Sequence, residues 1–211
     1  FVGIASPLVR YRITPGSMST DVARMHRNRT LVLAKRYGPH EGDPVQWPDA
    51  KRHAYGFAFR SSAVQYLAQG QEDMALDLLS QAVRCWPPLL GRLDTFYELA
   101  CGDQDRSIRG QAALMDIRGN GIRMLAWLDG LFTEPPAELM SYRRRAYGNA
   151  HLALAMLYDQ AGDWGAARRH LSSAVIHDTR LLGSRSVLRR AVKLLCGRRT
   201  VAFGKALLRM C

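Results

Sequence analysis

No apolar run in this chain approaches the roughly 18 residues that a membrane-crossing helix needs, so a spanning segment is not expected. The first residues, FVGIASPLVRYR, have neither the basic leader nor the long apolar centre of a signal peptide. Cysteine is scarce. Cys85, Cys101, Cys196 and Cys211 stand far apart and form no CxxC pair, which argues against a disulfide scaffold or a zinc knuckle. The thiols read as reduced, with Cys85 and Cys101 facing a core, and the compartment as cytoplasmic. There is no phosphate loop, dinucleotide fingerprint, HExxH or nucleophile elbow. His26, His40, His53, His151, His170 and His177 never recur at ligand spacing, and His170 and His177 are expected on an outer helix face. The acidic turn Gly102-Asp103-Gln104-Asp105 follows a helix rather than a strand, and reads as a solvated turn before it reads as a metal site. No catalytic residue and no metal ligand is assigned.

Acidic residues are also missing from one end. No Asp or Glu occurs from Thr179 to Cys211, although the chain carries a formal net charge of +12. Arg185, Arg189, Arg190, Lys193, Arg198 and Arg199 fall there. Val187, Leu188, Ala191, Leu194 and Leu195 recur at helical spacing opposite the cations. An amphipathic tail of this kind can lie on an anionic bilayer, at the inner face of a membrane. It can equally cap the helices before it and leave its charges in water. Nucleic acid has the charge in its favour but no recognisable motif or interleaved aromatic platform.

What the sequence has in abundance is a paired helical unit. Ala54–Val83 reads AYGFAFRSSAVQYLAQGQEDMALDLLSQAV, and Ala146–Val175 reads AYGNAHLALAMLYDQAGDWGAARRHLSSAV, at a constant offset of 92. Tyr55/Tyr147, Gly56/Gly148, Ala63/Ala155, Tyr66/Tyr158, Gly70/Gly162, Ala75/Ala167, Leu79/Leu171 and Ala82/Ala174 all match. The small residues fall where two helices must approach closely, and Gly70 and Gly162 suit the turn between them. Such a pair cannot bury its apolar face alone, so neighbours must cover it. Tyr55, Tyr147, Trp127 and Trp164 read as packing groups, and Arg143-Arg144-Arg145 and Arg168-Arg169 as solvated faces.

The periodicity predicts helices near 20–37, 49–68, 72–84, 89–100, 106–131, 137–161, 164–176, 185–196 and 200–210. Ser19 or Thr20 is expected to cap the first, with Asp21 at its positive end. Ahead of it, Val9, Tyr11 and Ile13 alternate with Arg10 and Arg12 as in a short strand, and Pro15-Gly16 reads as a turn. Residues 38–47 read as a linker. A chain that opens on Phe1 is expected to be a piece of something longer.

The second copy's Ala155, Tyr158, Gly162-Asp163, Ala167 and Ala174, and the first copy's Ala63, Tyr66, Gly70, Ala75, Ala82 and Pro87, resemble the tetratricopeptide repeat. The first copy departs at Gln71, where Asp is usual, and the second lacks the closing Pro. The resemblance implies an all-α fold of antiparallel helix hairpins stacked as a tetratricopeptide-like right-handed superhelix, preceded by a short N-terminal extended segment. It also implies a surface for a protein partner.

The opening segment has its own resemblance. Tyr11-Arg12-Ile13, Gly16-Ser17-Met18-Ser19 and Lys35-Arg36-Tyr37-Gly38 are similar to the strand, turn and helix that close the nucleotide-sugar (GT-A) domain of bacterial family 2 glycosyltransferases. The family's His position falls on Thr14, which has no imidazole. The resemblance divides the chain into 1–38, the end of a catalytic domain, 39–178, the repeats, and 179–211, basic capping helices. It implies a non-catalytic C-terminal region of an enzyme of polysaccharide or glycolipid synthesis, with its catalytic domain as partner in cis. No cofactor is expected in this fragment. Mn²⁺ or Mg²⁺ would belong to the catalytic domain, whose acidic groups are not in this sequence, and the fragment alone is expected to be inert. Arg12 is the single substrate-contact candidate, because its fork suits a donor diphosphate or an acceptor; pairing with an acid of the catalytic domain is the structural alternative. The competing reading is a free-standing helical-repeat scaffold for protein–protein interaction.

Overall fold

The computed structural model describes residues 21–103 and 111–194, and over these the chain is all-α, with no strand. The expected strand at 9–13, the Pro15-Gly16 turn, the caps Ser19 and Thr20, and the helix at 200–210 lie outside the described residues.

Helix α1 (Val22–Tyr37) is capped by Asp21 itself, whose carboxylate accepts the Arg24 N–H at 2.9 Å, and it ends at Gly38 with φ 78°. A 3₁₀ turn, Pro44–Gln46, interrupts the expected linker, with Asp43 accepting from Val45 N. Then come α2 (Asp49–Leu67) and α3 (Glu72–Cys85), which form the first hairpin. The helix expected at 89–100 starts later. Pro87–Gly91 forms a 3₁₀ turn, Arg92 is extended, and α4 runs Leu93–Cys101. Leu89 and Leu90 are both 0% exposed. Pro87 and Pro88 donate no backbone N–H, and the chain enters through a short 3₁₀ turn that still buries both leucines. The helix expected at 106–131 is also shorter. A 3₁₀ turn, Ala112–Leu114, precedes α5 (Ile117–Leu131), because Asp116 captures the Gly119 N–H and sets the start there. Gly121, inside α5, is not a flaw: a Cβ there would stand 2.9 Å from Leu154. The stretch 137–161 divides into α6 (Ala137–Met140) and α7 (Arg143–Ala161). Helix α8 is Trp164–His177, and residues 185–194 form α9.

The two units share more than a hairpin. Glu72–Cys85 and Trp164–His177 are 92 residues apart, and so are the 3₁₀ turns Pro87–Gly91 and Thr179–Gly183. Helix α4 starts at 93 and α9 at 185, at the same offset. The unit is therefore helix, helix, 3₁₀ turn, helix. Its internal contacts repeat too. Arg52 Nε donates to the Cys85 carbonyl at 3.1 Å, and Arg144 Nε to the His177 carbonyl at 3.3 Å. In each unit an arginine of the first helix closes the C-terminus of the second, where its charge suits the helix dipole. Arg144 is thus a cap rather than part of a wholly solvated face. Gly56 and Gly148 let the first helix approach the residue that follows the second. A Cβ on Gly56 would lie 2.5 Å from Trp86 Cβ, and one on Gly148 2.8 Å from Asp178 Cβ.

Ala63, Ala75, Leu79 and Ala82 join one buried cluster, which runs from Val22 to Leu157. Ala155, Ala167, Leu171 and Ala174 join a second, completed by Val187 and Leu194 of α9. Helix α4 is covered by α5 and α7, so its Phe96 and Ala100 are fully buried. At the same register in α9, Leu188 is 45% and Val192 54% exposed. Cys85 and Cys101 are buried free thiols, as expected, and burial pushes the Cys85 thiol up to about 11.

Candidate functional site

Two regions depart from simple helix packing. The first is the face shared by α1 and α2. His26 Nδ1 lies 3.0 Å from the buried Ser62 hydroxyl, and Arg29 donates to Ser62 Oγ (3.1 Å) and to Gln65 Oε1 (2.8 Å). Burial, with Arg29 and His40 nearby, lowers the His26 pKa, so the ring stays neutral beside the guanidinium. Next to these contacts lies a groove of about 520 Å³ lined by Met25, Val32, Leu33, Ala54 and Phe57. Val32, 65% exposed, stands at its rim. Helix α1 contains no acid, so the groove is apolar with a basic edge.

The second region is the interior of the second hairpin. His170 and His177 are not outward. Both rings turn toward α7, where they meet His151. His151 Nδ1 and His170 Nδ1 are 3.0 Å apart. Tyr147 stacks on His177 (5.1 Å), His177 on His151 (5.4 Å), and Tyr158 on His170 (5.4 Å). Together five rings run along the α7–α8 seam. Two neutral imidazoles can share the short Nδ1 contact only if one donates and the other accepts. Burial, with repulsion from His170 and His177, lowers His151 to about 4; burial and Arg169 lower His170. His151 and His170 are therefore uncharged near neutrality. At its end the Tyr147 hydroxyl donates to Asp129, and burial together with that carboxylate pushes the phenol up to about 12.

Periodicity alone put His170 and His177 outside, yet the 92-residue register contains the missed signal. The counterparts of His151, His170 and His177 in the first unit are Phe59, Leu78 and Cys85, which are 2%, 4% and 3% exposed. Three imidazoles replace three core side chains. Departures of this kind from a packing pattern are where functional or strained sites are expected.

The basic residues of the tail divide. Arg185 and Arg189 are exposed. Arg190 and Lys193 are not available on the same side: both reach inward to Asp159 of α7, which is 3% exposed. Arg190 Nη1 donates at 2.8 Å, and Lys193 Nζ at 2.7 and 2.8 Å. The reason is that a buried carboxylate must be paired. Arg168, expected to be solvated, donates to the Leu194 carbonyl at 2.6 Å and ties α8 to α9. Arg12, Arg198 and Arg199 lie outside the described residues, as do Gln104 and Asp105 of the acidic turn. Among the described residues, no group of three or more His, Cys, Asp or Glu side chains is arranged to hold a metal ion, and no helix is long and apolar enough to cross a membrane. Comparisons with protein families, with curated proteins and with solved structures return no match.

Proposed function

We propose that this chain is the non-catalytic helical region of a family 2 glycosyltransferase, a tetratricopeptide-like right-handed stack of hairpins that carries the nucleotide-sugar domain in cis. One observation carries the reading. The apolar groove with a basic edge lies on α1, the helix that directly follows the residues resembling the closing strand and turn of that domain. An apolar, unpartnered face there suits a neighbouring domain. The metal and the acids that hold it are assigned to the catalytic domain. Arg12 keeps its role as a donor or acceptor contact in the intact enzyme. The exposed Arg185 and Arg189, with Arg198 and Arg199, are the cations left for an anionic membrane surface, which would place the protein in the cytoplasm at the inner face.

The test has two arms. The coding sequence ahead of Phe1 is read for a strand-borne Asp-x-Asp, and the encoded domain, produced separately, is titrated with this chain. Binding is expected, and Met25→Asp or Val32→Asp, both in the groove lining, is expected to weaken it about tenfold or more, as hot-spot residues do. A start codon immediately ahead of Phe1, or binding indifferent to both substitutions, overturns the reading. A free-standing scaffold is the second reading. It is favoured by a groove of about 340 Å³ between α8 and α9, lined by Leu171, Val175, Ile176, Ala191 and Leu194, with Ile176 74% exposed. An apolar helix of a protein partner fits such a groove.

A further inference from the structure

The histidine column opens at one end into a cleft of about 620 Å³ lined by Arg118, Tyr158, Asp163, Ala166, Arg169 and His170. This lies within the ~300–1,000 Å³ typical of small-molecule sites and exceeds what a bare inorganic ion fills. Its walls come from three elements: the first turn of α5, the end of α7 and the first half of α8. The charges that face it are Arg118 and Arg169, with the carboxylates of Asp163 and, near Tyr158, Asp116. The two acids are committed to helix caps. Asp116 Oδ1 accepts Gly119 N at 2.8 Å, and Asp163 Oδ1 accepts Ala166 N at 2.9 Å. Neither arginine has a carboxylate partner among the described residues. Two exposed guanidinium forks therefore line one cleft beside two cap carboxylates, and among the described residues no ion pair ties either fork to an acid.

The floor of the cleft is chemically specific. His170 spends Nδ1 on His151, so its other ring nitrogen is the one left for the cleft. If His151 donates in that contact, His170 must carry its proton on Nε2, where it can donate to a ligand. The stacked Tyr158 ring beside it, 5.4 Å away and nearly parallel at 8°, fixes the imidazole plane. The first unit has Leu78 at this position and forms no such floor.

We infer that the cleft is a binding site for a phosphomonoester of a small polar molecule, with Arg118 and Arg169 chelating the phosphate and His170 donating from Nε2. Two forks suit a tetrahedral dianion, because each can give parallel N–H bonds to a different oxygen pair. The remaining volume takes the organic part. The site is independent of the α1–α2 groove and of the reading built on it.

The test is calorimetric titration of the full chain with inorganic phosphate and with α-glycerophosphate at constant ionic strength. The variants are Arg118→Ala, Arg169→Ala and His170→Phe. Arg27→Ala, an exposed cation on the remote α1, controls for the general attraction of a basic protein to anions. Both lining arginines are exposed, so their removal should leave the melting temperature unchanged. Saturable binding is expected, tighter for α-glycerophosphate, with losses of about tenfold or more for Arg118→Ala and Arg169→Ala and none for Arg27→Ala. His170→Phe, which keeps a stacking ring but no donor, is expected to weaken binding as well. Absence of saturable binding for both probes, or equal weakening by Arg27→Ala and Arg118→Ala, overturns the assignment.

Discussion

Besides its apolar contacts, α9 is held by one buried carboxylate, and that contact can be broken in graded steps. The Asp159 side chain is 4% exposed, while Arg190 and Lys193 are 24% and 34% exposed. The burden of burial thus falls on the anion. Arg190→Ala or Lys193→Ala alone leaves Asp159 one cation and should cost about 1–2 kcal/mol. The double variant leaves a buried, unpaired carboxylate and should cost about 3–5 kcal/mol. Asp159→Asn keeps the shape and releases two cations that can turn to water, so it should cost only ~1–2 kcal/mol. For a chain of this size each kcal/mol moves the melting temperature by about 2–4 °C. The double variant should therefore melt roughly 10 °C below the parent, and further below it than Asp159→Asn. Calorimetry measures the shift, and hydrogen exchange in 185–194 shows whether α9 releases first. A double variant within ~2 °C of the parent would refute the argument, because a solvated Asp159 would not need either cation.

Three further outcomes follow from the packing and the charges. His151 binds its proton less readily folded (about 4) than unfolded (6.5), so the unfolded chain takes up more protons between those values; stability should rise with pH across this window and be lost as pH falls through it. The urea midpoint, measured from pH 4 to 7, should show a slope that His151→Gln flattens; an unchanged slope would count against a neutral His151 in the folded chain. Ala167→Leu, at a position 0% exposed between α7 and α8, and Gly148→Ala, whose Cβ would meet Asp178, should each destabilise by ~1–3 kcal/mol, and an unaltered melting temperature for either would contradict the packing. Co-sedimentation with phosphatidylglycerol vesicles at low salt should depend on Arg185 and Arg189 and be insensitive to Arg190→Ala; the reverse dependence would mean that α9 leaves Asp159 on binding.

The hairpins were legible in the sequence because their signals are local. Gly70 and Gly162 have φ of 71° and 85°, and the alanine pairs are buried where the spacing predicts. The third helix of each unit was harder to read. Leu89 and Leu90 suggest a helix, but the core takes both at once through a 3₁₀ turn. Charge misled at Arg190 and Lys193, since a cation's direction is set by a buried partner 31 and 34 residues away in sequence. The histidine column has no spacing of its own. It is visible only where the second copy is laid on the first and imidazoles fall on Phe59, Leu78 and Cys85.

The shared register of α4 and α9 makes the described fold an array with unequal ends. Phe96 and Ala100 are dry because two later helices lie on them, while Leu188 and Val192, in the same places one period on, remain wet. In a one-dimensional array each added unit converts a wet face into an interior joint and creates only one new wet face. The cost of the open end is thus constant, while the number of joints grows with length. Appending a further 92-residue period after 194 should raise stability by the worth of a whole joint rather than by the average per unit, and a chain cut back to one period should lose more than half of it.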